Sequence, residues 1–101
     1  MGACNFIEFK VGKTARDAFD ELVEDSVYEY GHDPYNGTIS TTSLSRRAPK
    51  VIRKRYTVKA QEEAVKVAEA DDWGEKWESR VIDCGATKGG HMWAFYGWAA
   101  C

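Results

Sequence analysis

The densest polar chemistry in this 101-residue chain lies at residues 30–38, YGHDPYNGT, where His32 stands beside Asp33. An imidazole oriented by a carboxylate is the pairing a general base needs, and Tyr35, Asn36 and Thr38 carry groups that orient a ligand. The same letters also spell a helix end and a turn. Gly31 suits the left-handed position after a helix, Asp33-Pro34 suits the first two places of a turn, and His32 lies near the negative end of the helix dipole. The turn reading needs no ligand, so no catalytic residue is assigned.

Cys4, Cys84 and Cys101 are an odd and widely spaced set, and neither C-x-x-C nor H-x-x-x-H occurs around them or around His32 and His91. Zinc sites are marked by such local pairs and disulfide frameworks by even counts in exported chains, so the expectation is reduced thiols, no disulfide needed for folding and no metal. Gly89-Gly90 has neither Walker nor Rossmann spacing, so no nucleotide or other cofactor is expected. No run approaches the roughly 18 apolar residues of a membrane span and no export signal is evident, which suggests a cytoplasmic protein that does not enter a membrane.

Charge is distributed more tellingly than the net value of -2 suggests. Residues 8–33 sum to -5, residues 46–59 to +7 with no acid among them, and residues 62–78 to -5. Arg53 and Arg55 alternate along a stretch that reads as a strand, so they share a sheet face, and Phe6 of the first strand is placed on the same side. Bases interleaved with an aromatic are the equipment of a nucleic-acid binder. Against that stand the two acidic segments and the absence of an RNA-recognition signature; a solvated basic edge that blunts strand pairing explains the same residues.

The elements that must carry these groups follow from periodicity. Ala15, Ala18, Phe19, Leu22, Val23, Ser26, Val27 and Tyr30 recur at helical spacing, with Thr14 and Asp17 as a capping pair, so a helix is expected over 15–30. Its opposite face carries Asp17, Asp20, Glu21 and Glu24 and is expected to be exposed, where it imitates a phosphate backbone. A strand is expected over 4–11. Residues 38–42 and 51–58 suit two strands paired as a hairpin, Ala60, Ala64, Val67 and Ala68 suit a second helix ended by Gly74, and 77–84 with 92–99 suit a closing hairpin. The order is that of an α+β fold, ferredoxin-like βαββαβ with one added C-terminal strand, an antiparallel sheet with two helices on one face. A chain of this length makes one domain.

The last strand is apolar on both sides, Trp93 and Phe95 on one and Met92, Tyr96 and Trp98 on the other. With helices on one face only, the other face, carrying either Trp93 or Trp98, is expected to be an open aromatic patch that takes a second copy of the chain or a partner, unless residues 31–49 fold back as a lid.

At residues 29–40, EYGHDPYNGTIS, following the acidic helix, the chain resembles small uncharacterised proteins carried by bacteriophages and other mobile elements. The resemblance covers the first 40 residues or so. It implies an intracellular viral protein that binds a host or defence component, as anti-CRISPR and similar inhibitors do, and it transfers no catalytic residue. The expectation is a non-enzymatic binding protein that occupies a macromolecular surface, with partner contacts drawn from Asp17, Asp20, Glu21, Glu24, Arg53, Arg55, Trp93 and Trp98. The alternative is a nucleic-acid binder that uses the basic residues 46–59.

Overall fold

The computed structural model describes residues 2–30 and 38–100. The proposed turn and the His32–Asp33 pair lie outside them. In chain order the elements are β1 (Ala3–Gly12), α1 (Ala15–Tyr30), a 3-10 turn (Ile39–Thr41), β2 (Ser43–Leu44), β3 (Lys50–Val51), α2 (Lys59–Ala70), β4 (Glu78–Thr87) and β5 (Gly90–Ala100). The α+β class holds, as does the alternation of strands and helices along the chain.

Three long strands form the frame. β5 lies between β1 and β4 and is antiparallel to both, with Ile7 opposite Tyr96 and Val81 opposite Phe95. The free edge of β4 is taken by residues 43–56, which run parallel to it: β2 pairs Ser43 with Glu78, β3 pairs Lys50 with Ile82, and Arg55 bridges to Ala86. The sheet is therefore mixed and not wholly antiparallel, and the expected hairpin between 38–42 and 51–58 does not form. Neither segment presents a long alternating run of apolar residues, and Pro49 has no N–H to give a ladder, so each adds only short pieces to an edge. Gly85 makes this approach feasible. Its φ is +111°, and a Cβ there would lie 2.5 Å from the carbonyl carbon of Arg55 and from Tyr56 N.

Side chains alternate across a strand, so the partners of each helix state which side it covers. α2 sets Ala60, Ala64 and Ala68, all fully buried, against Ile82, Cys84, Ala94 and Tyr96, with Ile7 and Phe9 beside them. α1 sets Ala18 and Phe19 against Val81, Trp93 and Phe95, and the buried Ile39 joins them from the 3-10 turn. The Phe19 and Phe95 rings meet at 5.8 Å between centroids. Residues 93 and 95 alternate with 94 and 96, so each helix packs on one side of β5 and the two helices lie on opposite sides. A strand apolar on both faces is thereby buried on both, and this corrects the shared helix face and the spatial arrangement expected of a ferredoxin-like sheet. The open aromatic patch expected at Trp93 is absent as well: Trp93 is only 8% exposed and its Nε1 donates to Gly12 O at 2.9 Å.

α1 begins as its sequence indicates, with the Asp17 backbone N–H donating to Thr14 Oγ1 at 3.1 Å. The thiols differ from expectation. Cys84 is free and fully buried, whereas Cys4 is disulfide-bonded. No helix among the described residues is long and apolar enough to cross a membrane.

Candidate functional site

Beside the start of β4 the chain makes a polar corner. After α2, Asp72, Trp73 and Gly74 take left-handed conformations with φ of +53°, +61° and +74°, which reverses the chain toward the sheet. Trp77 follows, also left-handed at φ +65°. Its N–H donates to Trp98 O at 2.8 Å and its carbonyl accepts from Ser43 N at 2.9 Å, so both β5 and β2 hold the backbone. With the main chain tied on both sides, the ring is displayed to solvent at 46% residue exposure. Left-handed backbone at a bulky residue costs on the order of 1–3 kcal/mol and persists only where its surroundings impose it.

On the other side of this ring lies the loop between β2 and β3. Ser45 N donates to Ser79 O at 2.8 Å, and Arg47 N then donates to Ser45 Oγ at 3.1 Å. The loop leaves the sheet edge here and carries Arg46 and Arg47 outward. A groove of about 530 Å³ runs between Arg46, Arg47, Lys76, Trp77 and Glu78, with Ser43 to Ser45 as its floor. Ser45 and Arg47 also line an adjoining cavity of about 310 Å³ with Lys50, Asp71, Arg80 and Tyr96. Arg46, Arg47, Lys50 and Lys76 form no ion pair among the described residues.

The acids near the groove are largely spent on one another's partners. Asp71 Oδ2 accepts from Tyr96 Oη at 2.7 Å and from Arg80 Nη1 at 2.5 Å. These two donors, Tyr96 first, hold the Asp71 carboxyl below its ordinary range. Burial, and then the bond to Asp71, push the Tyr96 phenol up to about 12. Arg80 also faces Glu75 at 3.5 Å and Glu78 at 3.6 Å, so one guanidinium serves three carboxylates.

The residues singled out from sequence are dispersed. Asp17, Asp20, Glu21 and Glu24 are exposed on α1, and among the described residues Asp20 alone of the four has a counter-ion, Arg16 at 3.5 Å. Arg53 binds Glu63 of α2 with both its Nε and Nη2, which raises the Arg53 pKa and lowers that of Glu63. Arg55 is exposed at the bridge to Ala86. Phe6 packs in the α1 cluster, so the surface expected to combine it with Arg53 and Arg55 does not form. Trp93 is buried under α1, and the half-buried Trp98 donates its Nε1 to Asp72 O at 3.2 Å. Lys76 and Trp77 were not legible as site residues, because Trp77 reads as the apolar start of a strand; its setting in the charged run Glu75-Lys76-Trp77-Glu78 was the one signal of exposure.

A second pair of groups lies at the far end of β4 and β5, where Asp83 Oδ1 accepts from Gly85 N at 2.9 Å and sits 3.0 Å from His91 Nδ1. Among the described residues no cysteine completes it. Cys84 points to the α2 side, and burial, followed by the charges of Asp83 and Glu63, pushes its thiol up to about 12, far from a nucleophilic thiolate. Among the described residues, no group of three metal-ligating side chains is placed to hold an ion. Comparisons with family models, with curated proteins and with solved structures find no match for this chain.

Proposed function

We propose that the chain is a non-enzymatic binding protein that holds a polyanion in the groove between the β2–β3 loop and Trp77. The observation that carries this reading is the convergence of Arg46, Arg47, Lys50 and Lys76 on two adjoining cavities, with no ion pair among the described residues; Asp71, an acid of the smaller cavity, feels the charge of Arg47 but is held by Tyr96 and Arg80. Unpaired cations on a concave surface focus potential and release counter-ions when an anion displaces them. The chain's overall charge is -2, so such binding is local to this groove and falls steeply with salt. Replacing Arg46, Arg47 and Lys76 together by glutamate is expected to abolish retention on heparin resin at about 0.1 M salt. Unchanged retention of a folded triple variant overturns the reading.

A second reading rests on α1. Its exposed Asp17, Asp20, Glu21 and Glu24 form an acidic strip that suits a basic surface on another protein. With the resemblance to mobile-element proteins, this reading makes the chain an inhibitor that occupies a host or defence macromolecule. Capture of a nucleic-acid-binding host protein, lost when Asp20, Glu21 and Glu24 are changed to lysine, favours this second reading over the first.

A further inference from the structure

We infer that the polyanion is a single-stranded nucleic acid, bound with one base stacked on Trp77 and its neighbouring phosphates on Arg46, Arg47 and Lys76. This rests on the polyanion reading above and adds what the tryptophan contributes. Salt-dependent attraction to phosphates or sulfates needs only the cations. An exposed indole among them adds affinity only for a ligand that presents a flat π-face, and in nucleic acids that face is free only where a base is unpaired.

The indole is presented by a fixed backbone. Hydrogen bonds of 2.8 Å to Trp98 O and 2.9 Å from Ser43 N hold Trp77 in a left-handed conformation that a tryptophan does not adopt by preference. The ring therefore projects from the seam between β2 and β5 and not from a loose loop, which lowers the ordering cost of stacking. The groove of about 530 Å³ is continued by the adjoining cavity of about 310 Å³, which shares Ser45 and Arg47 with it, so cations line a path that runs on from Trp77.

Arg80 makes the groove usable by an anion although Asp71, Glu75 and Glu78 stand close by. Its guanidinium lies within 3.6 Å of a carboxylate oxygen of each, and its side chain is only 12% exposed. Arg80 is thus a positioning residue that offsets the acids from behind, and Arg46, Arg47 and Lys76 remain free to meet phosphate.

The test is fluorescence anisotropy of a labelled oligothymidylate of about twelve nucleotides, with a duplex of equal length and with heparin as competitors. For the wild type, the oligothymidylate is expected to bind at least tenfold more tightly than the duplex. Three phosphate contacts on a single strand give a slope of log K against log salt of about -2. Trp77→Ala should weaken the oligothymidylate about tenfold or more with that slope unchanged, while Lys76→Ala should make the slope shallower by about 0.7. If Trp77→Ala does not fold, Trp77→Phe decides: affinity within about threefold, but loss of the quenching of tryptophan emission that the oligothymidylate produces in the wild type. Equal affinity for single strand and duplex, or persistent quenching in Trp77→Phe, overturns the inference and leaves the polyanion reading standing. Failure to bind the oligothymidylate, the duplex and heparin alike overturns both.

Discussion

Glu8 stands on β1 opposite Phe95, on the side covered by α1, and its Oε2 is buried with no hydrogen-bond partner among the described residues. Burial raises its pKa most, and the charges of Asp25 and Glu29 raise it further. A carboxyl whose folded pKa exceeds its unfolded value costs nothing where both states are protonated; the cost appears as pH rises through the folded value and is complete above it. Glu8→Gln is therefore expected to be more stable than the wild type at pH 7, with the difference fading toward about pH 3, below the ordinary glutamate value of about 4.3. Urea denaturation at the two pH values measures this, and an equal midpoint for both proteins at pH 7 would refute it. Asp71 has the opposite sign. Its Tyr96 and Arg80 partners lower its pKa, so the stability they supply is present above its unfolded value and declines as pH falls through the folded one.

Among the elements, the most unusual is the edge formed by residues 43–56. It contributes two-residue strands and single bridges, yet it positions the wall of the groove that faces Lys76 and Trp77, because Ser45 to Arg47 follow β2, and Lys50, which begins β3, lines the adjoining cavity. Its far end depends on Gly85. A side chain there would be strained by the positive φ and would strike the Arg55–Tyr56 backbone at 2.5 Å. Gly85→Ala is expected to destabilise the protein by about 2 kcal/mol or more and to free the amides of Tyr56 and Ala86, which now close the edge. Hydrogen exchange at those two amides provides the measure. Protection equal to the wild type's would show that the edge closes without this glycine. The cost falls at the end of the edge away from Trp77, so a folded Gly85→Ala protein should retain its groove.

At the scale of the whole molecule, one strand is the centre. β5 has neighbours on both edges and a helix on each face, and Trp93 is sealed between α1 and the Gly12 carbonyl. Trp93→Ala is accordingly expected to cost roughly 3–5 kcal/mol in folding stability, as removal of a large core side chain does, and to leave the mass measured by light scattering unchanged. A dimeric wild type that becomes a folded monomer on this substitution would contradict the burial. The disulfide at Cys4 adds a second constraint to this frame, with the stabilisation that cross-links commonly give small domains, about 2–4 kcal/mol.

Local patterns in the sequence determined what is local in the structure. The helical spacing of Ala15, Ala18, Phe19 and Leu22 and the cap at Thr14 are enough to set α1, the recurrence of alanine sets the buried face of α2, and the apolar character of β5 on both sides requires cover on both. Tertiary structure decided what these patterns leave open. A strand edge accepts either direction of partner, and only the reach of the chain after the 3-10 turn made residues 43–56 parallel to β4. Charge is legible by type but not by partner: Arg53 is consumed by Glu63, ten positions away, whereas Arg46 and Arg47 in the same basic run stay free. Trp77 is apolar by composition and exposed by geometry, because hydrogen bonds from β2 and β5 fix its backbone where no core is within reach. The cap, the helical period and the alternation depend on neighbours in sequence, while edge pairing, ion pairing and exposure depend on neighbours in space.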